Sequence, residues 1–182
     1  MKALLVIDVQ LDYFKGGASE LVQPEAALAN VKKLLSFFTA RQWPVYLARH
    51  IGTAADGFFK PDTRGCELHP DLQALADSCS IIVKHYPNCF YQTTLAPELK
   101  RSEVTDLVIC GMMTHMCVDS TVRQAYDLGY EVKLISDGCA TKNLTWQTAE
   151  LPAALVNKVI FSAVDGAFAQ VLSTDAYLKT IQ

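Results

Sequence analysis

Charge is scarce in this chain. Only 19% of its 182 residues are charged, and 16 Lys and Arg against 19 Asp and Glu leave a net charge of −3. No basic footprint for nucleic acid follows from that balance. No apolar run is longer than a strand, which argues against a membrane-spanning helix. Met1-Lys2 leads straight into a strand-like run that soon meets Asp8, the wrong pattern for a signal peptide. The cysteines Cys66, Cys79, Cys89, Cys110, Cys117 and Cys139 contain no Cys-x-x-Cys pair and no zinc spacing. Free thiols in a reducing, cytoplasmic setting are therefore expected. A dinucleotide-binding oxidoreductase is set aside, because Asp8-Val9-Gln10-Leu11-Asp12 stands where a glycine fingerprint would follow the first strand. With no repeat, linker or low-complexity stretch, residues 1–182 read as one domain.

What is abundant is apolar sequence, 51% of the chain, arranged as short runs alternating with helical patterns. Strands are expected at Ala3 to Ile7, Pro44 to Ala48, Ser80 to Lys84, Leu107 to Cys110, Glu131 to Ile135 and Lys158 to Phe161. Pro24 to Arg41 reads as a helix with Ala27, Leu28, Val31, Leu34, Leu35 and Phe38 on one face. Further helices are expected over Asp71 to Ala76, Cys117 to Leu128 (closed by Gly129), Thr145 to Val156 (kinked near Pro152) and Asp165 to Leu172. The alternation predicts an α/β, three-layer Rossmann-like sandwich, its sheet about six-stranded and mostly parallel with helices on both faces. The irregular segment His50 to Pro70 reads as a lid or binding loop, or as a surface loop that buries Phe58 and Phe59.

Ligands of open parallel sheets bind at the carboxyl ends of the strands. Three chemically capable side chains fall there: Asp8 after the first strand, Lys84 at the end of the third, and Cys117 just past the fourth. Taken singly, Asp8 caps a turn, Lys84 snorkels to the surface and Cys117 is a small buried hydrophobe. Together they form a base, a cation and a thiol, which is a set that activates a nucleophile. The run from Gly111 to Thr121 places Cys117 where a strand gives way to a helix start. Unsatisfied N–H groups and the helix dipole favour a thiolate there.

The stretches Leu5-Val6-Ile7-Asp8-Val9-Gln10 with Phe14, Val83-Lys84-His85-Tyr86-Pro87-Asn88-Cys89-Phe90, Gly111 through Val118, and Asp137-Gly138-Cys139-Ala140 carry a family resemblance. In that order the chain resembles the isochorismatase-like cysteine hydrolases, a superfamily that includes nicotinamidases, N-carbamoylsarcosine amidase and isochorismatase. The resemblance implies a catalytic triad of Asp8, Lys84 and Cys117. It also implies an oxyanion hole made by the backbone N–H groups of Met113 and Cys117, with a cis peptide between Met112 and Met113 aiming the first. The implied reaction cleaves a C–N bond of a small amide, carbamoyl or ureido substrate through a thioester. No cofactor is implied, and a homo-oligomer, dimer or tetramer, is.

Nicotinamidases of this superfamily carry an Asp-x-His metal site after the second strand, whereas here the region reads Leu47-Ala48-Arg49-His50-Ile51-Gly52. His50 is read as a hydrogen-bonded structural residue, and no catalytic metal is expected. Gln10 and Phe14 are candidates to orient substrate or to pack, Phe90 and Tyr91 to wall the pocket, and His115 to touch substrate or a neighbouring subunit. Arg49 and Arg64 are candidates to clamp a substrate carboxylate or to form surface ion pairs, while Asp119 and Arg123 are four apart and read as an intrahelical pair. Asp137 is read as holding a turn. Two other functions stay open: vinyl-ether hydrolysis using Asp8 without the thiol, and a non-catalytic small-molecule binding or assembly module.

Overall fold

The computed structural model describes residues 1–75 and 78–181. Six parallel strands form one sheet in the order β3-β2-β1-β4-β5-β8: β3 is Ser80–Lys84, β2 Val45–His50, β1 Lys2–Ile7, β4 Asp106–Met112, β5 Glu131–Ala140 and β8 Gln170–Leu172. A two-stranded antiparallel hairpin, β6 (Leu144–Trp146) with β7 (Ala149–Leu151), stands apart from it. Helix α1 (Pro24–Ala40) packs on one face with α2 (Pro70–Gln73) and α6 (Thr174–Thr180). Helices α3 (Leu95–Arg101), α4 (Asp119–Asp127) and α5 (Ala153–Val164) cover the other. Strands β1 and β4 are thus buried on both sides, which is why they read as unbroken apolar runs. The three-layer α/β expectation holds.

Helix α1 buries Ala27, Leu28, Val31, Leu34, Leu35 and Phe38, the face anticipated from their spacing. The carboxyl-terminal third departs from expectation. Lys158 to Phe161 is not a strand but the middle of α5, and the sixth strand is β8, inside the segment expected to be the last helix. Thr145 to Val156 is not one helix: the β6–β7 hairpin occupies its first part, and Pro152 caps α5 rather than kinking it. The cause is that α5 is apolar nearly all round, with Leu155 and Val159 exposed. Its run Val159-Ile160-Phe161 therefore carries no helical period, and a short apolar run fits helix and strand alike. The helix expected at Asp71 to Ala76 is seen as α2, although Ala76 lies outside the described residues. Helices α3 and α6 were not anticipated.

Chain order runs outward from β1 to β3 on one side and from β4 to β8 on the other, so the topology switches between β1 and β4. There the strands pack so closely that a Cβ on Gly111, whose φ is +127°, would overlap the Ile7 carbonyl. Only glycine fits that crossing.

Candidate active site

Asp8 follows β1 directly, with φ of 50°, a left-handed conformation that aspartate tolerates better than most residues. Its N–H donates to the Ala48 carbonyl at 3.1 Å, fixing the turn against β2. Lys84 ends β3 and pairs in register with His50 at the end of β2. Beyond β4 the chain enters a π-helical turn, Thr114–Val118, in which the Val118 N–H reaches the Met113 carbonyl at 3.3 Å before α4 begins. Such turns are rare and frequently functional. This one holds Cys117 in the first turn of a continuous helix, and the peptide before it, Met112–Met113, is cis.

These elements bring Asp8, Lys84 and Cys117 together. The Lys84 ammonium lies 2.7 Å from Asp8 Oδ2 and 3.4 Å from Cys117 Sγ, and it also donates to the Tyr86 carbonyl at 3.1 Å. Asp8 and Lys84 are 0% exposed and Cys117 6%. The ammonium at 2.7 Å supplies Asp8 Oδ2 with its partner, and the Cys117 side chain is the carboxylate's other hydrogen-bonding neighbour. Burial alone would lower the Lys84 pKa, but Asp8 and then Cys117 more than offset it and hold the ammonium above the ordinary lysine range.

The surroundings of Cys117 work against the thiolate expected at a helix start. Burial, and next the Asp8 charge, push the Cys117 pKa well up, with Lys84 opposing.

His50 completes the cluster. Its Nδ1 is 3.0 Å from Lys84 Nζ, and one ligating atom each from Asp8, His50 and Cys117 lie within 4.8 Å of one another. Carboxylate, imidazole and sulfur are a donor set for a soft divalent ion, and among them sits the Lys84 ammonium as the resident cation. The His50 pKa is lowered, by burial first and by Lys84 second. The hydrogen-bond partner of His50 is the catalytic lysine candidate, a pairing that only the β2–β3 register reveals.

Gln10 is fully buried. Its Nε2 donates to the carbonyls of His50 and Cys66 at 2.8 and 2.9 Å, and its Oε1 accepts the His50 N–H at 2.7 Å. It therefore fixes the end of β2 and the following loop. Phe14 is buried against His69, with ring centroids 4.7 Å apart. Phe90 is half-buried and stacks on Tyr130, while Tyr91 is exposed against Tyr86. His115 Nδ1 is 2.5 Å from Thr141 Oγ1, and the residue lines an apolar cleft with Leu155 and Val159 rather than meeting the triad. Arg49 Nε donates to the Cys66 carbonyl at 3.0 Å, Arg64 is exposed, and among the described residues neither forms an ion pair. Arg123 and Asp119 do pair, at 3.0 Å. Asp137 Oδ1 accepts both the N–H and the hydroxyl of Thr174, anchoring α6.

Tyr13 was not singled out in the sequence. It is buried, packs on Phe59 at 4.6 Å and Phe58 at 5.8 Å, and its pKa is raised by burial and then by Cys117 and Asp8. The segment between β2 and α2 is held against Tyr13 and His50 by this aromatic cluster and by Asp12 Oδ2, which accepts the Phe59 N–H at 2.6 Å.

The profile of the Isochorismatase domain family matches residues 2–175. The isochorismatase family protein YddQ of Bacillus subtilis (strain 168) is 44% identical over 179 residues, covering 97% of this chain and 98% of that protein. The crystal structure of an isochorismatase from Pseudomonas putida KT2440 superposes with a TM-score of 0.89 at 33% identity, covering 96% of this chain and 88% of that one. The nicotinamidase of Escherichia coli (strain K12) is 26% identical over 180 residues, covering 79% of this chain and 84% of that protein.

Proposed function

The chain belongs to the isochorismatase domain family and is a hydrolase of that family, and we propose that it cleaves a C–N bond of a small amide, carbamoyl or ureido compound with Cys117 as nucleophile. The observation that carries this reading is the buried ammonium of Lys84, in contact with both a carboxylate and a thiol. Similarity to a nicotinamidase supports amide chemistry.

Asp8 takes the thiol proton while Lys84 holds the developing thiolate. The sulfur attacks the carbonyl carbon, a C–S bond forms, and the carbonyl π pair moves to oxygen. The Met113 and Cys117 N–H groups are assigned to that oxyanion, and losing one such donor costs roughly 3–4 kcal/mol of transition-state stabilisation. As the C–N bond breaks, Asp8 gives its proton to the leaving nitrogen, releasing an amine or ammonia and leaving a thioester. Water then gives a proton to Asp8 and its oxygen attacks the thioester carbon. The C–S bond breaks, the acid departs and the proton returns to sulfur.

Release of ammonia or amine from a panel of small amides and ureides tests this, with Cys117→Ala and Asp8→Asn as controls. Loss of turnover in both variants, with an acyl adduct on Cys117 seen by mass spectrometry, is the expected result. Activity on an isochorismate-like ether that survives Cys117→Ala but not Asp8→Asn would assign the site to ether hydrolysis instead.

A further inference from the structure

A lysine ammonium carries three N–H donors and no acceptor. Around Lys84 the structure gathers four acceptors: Asp8 Oδ2 at 2.7 Å, His50 Nδ1 at 3.0 Å, the Tyr86 carbonyl at 3.1 Å and Cys117 Sγ at 3.4 Å. Because Lys84 is 0% exposed, the four compete inside the protein. His50 is no chance neighbour: register sets it opposite Lys84, and the Gln10 amide grips its backbone from both sides. A charged lysine can only donate, so His50 Nδ1 is the acceptor and the imidazole proton sits on Nε2.

We propose that His50 is a positioning residue that sets the acidity of the nucleophile: by accepting one Lys84 N–H it competes with Cys117 for the ammonium and holds the resting sulfur as a thiol. The proposal rests on the reading of Cys117 as nucleophile. When Asp8 takes the thiol proton, the new thiolate must draw an N–H from a neighbour that already holds it. Without the His50 acceptor, three donors face three acceptors, and sulfur receives a full hydrogen bond. Removing that acceptor therefore favours the thiolate. The high pKa of Cys117 and the low pKa of His50 agree with this arrangement. The other titratable groups facing His50 are Asp8, Cys117, Asp56 and His85. Asp56 is exposed and His85 is hydrogen-bonded to the Ile51 carbonyl, so neither offers Lys84 a replacement.

The test is the rate of Cys117 alkylation by iodoacetamide across pH, mapped by mass spectrometry in the folded protein. His50→Leu keeps comparable bulk without an acceptor, whereas His50→Asn puts an amide oxygen near the position of Nδ1. The Leu variant is expected to lower the apparent Cys117 pKa by about one unit, or about tenfold more thiolate at a given pH. The Asn variant is expected to stay within about threefold of wild type, a rescue that a merely structural role would not produce. An unchanged or raised pKa in the Leu variant, or an Asn variant that behaves like Leu, overturns the proposal. Should the Leu variant not fold, nitrogen NMR of the wild-type imidazole decides the matter. A protonated Nε2, bare Nδ1 and no titration above about pH 6.5 support it, and the opposite tautomer refutes it. Alkylation needs no substrate, so loss or survival of turnover in Cys117→Ala tests the nucleophile assignment separately.

Discussion

Replacing Gln10 by Leu separates a structural amide from a substrate-binding one. In the structure this side chain makes three hydrogen bonds of 2.7–2.9 Å to the backbone of His50 and Cys66. After the substitution the Cys66 carbonyl keeps Arg49 Nε at 3.0 Å. Among the described residues the His50 carbonyl keeps only the Cys66 thiol at 3.5 Å, and the His50 N–H loses its Gln10 acceptor. Two buried groups are then effectively abandoned, at about 1–3 kcal/mol each, and the added apolar burial of leucine returns roughly 1 kcal/mol. The net loss is about 1–5 kcal/mol, which for a chain of this size lowers Tm by roughly 2–20 °C. Calorimetry or thermal circular dichroism measures it directly. Gln10→Glu sharpens the test. It keeps the acceptor for the His50 N–H but turns a carboxylate oxygen onto two carbonyls, so it should lose comparable stability at neutral pH and regain part of it as acid protonates the new group. A Gln10→Leu protein with wild-type Tm and a selectively raised KM would refute the structural account and return this amide to the substrate.

Lys84→Met should remove about 5 kcal/mol of thiolate stabilisation, taking an effective dielectric near 20 over the 3.4 Å separation. Turnover should then fall by about three to four decades and the apparent Cys117 pKa should rise in the alkylation profile; unchanged alkylation would remove Lys84 from the mechanism. Gly111→Ala forces a methyl into the Ile7 carbonyl at a position with φ of +127°, so soluble, cooperatively folding protein is not expected, and a normal urea transition would contradict the close approach. Cys89 and Cys139 are pushed up to about 12, and Cys110 well above the usual range, each chiefly by burial. Their folded pKa values exceed the unfolded ones, so stability is fully present below about pH 8.5 and falls above it by about 1.4 kcal/mol per thiol per pH unit. Urea midpoints at pH 8, 9 and 10 should fall steeply, and a flat series would refute it. Asp12→Ala frees the Phe59 N–H and should speed both alkylation of Cys117 and proteolysis within residues 50–70; unaltered rates would show that aromatic packing alone holds the segment closed.

Strand ends made the triad legible. Buried parallel strands announce themselves as apolar runs, and the polar residue that stops each run lies at the sheet edge where ligands bind. Asp8, Lys84 and Cys117 could be placed together without any contact being known. What stayed hidden depends on register and packing. The His50–Lys84 pairing comes from the β2–β3 ladder, and no spacing along the chain encodes it. The amide of Gln10 has the same chemistry whether it meets a substrate or a backbone, and only the position of the Cys66 loop decides. Helix α5 hid behind its own apolarity, and α3 carries Pro97 in a single short helix of Leu95–Arg101. Helix α6 had a readable signal, Ser173 before Thr174-Asp175, whose hydroxyl does accept the Ala176 N–H at 3.2 Å.

The burial of the whole cluster explains how the proposed proton transfer can run in so dry a place. Isolated charges cannot be kept there, because desolvation alone costs several kcal/mol per ion. With the proton on sulfur, the site holds Asp8 as carboxylate and Lys84 as ammonium, with no net charge. With the proton on Asp8, it holds a thiolate and the same ammonium, again with none. The negative charge moves only from an oxygen 2.7 Å from Lys84 Nζ to a sulfur 3.4 Å from it. Neither state creates an unpaired buried ion, and the number of bound protons does not change. The transfer therefore has no pH signature of its own. The pH dependence of turnover should arise at its edges, where acid adds a proton to the site or alkali removes the shared one. Lys84→Met breaks this symmetry, since each state then carries one uncompensated negative charge. In that variant the site should gain a proton at rest, and the ascending limb of turnover with pH should move to higher pH than in the wild type.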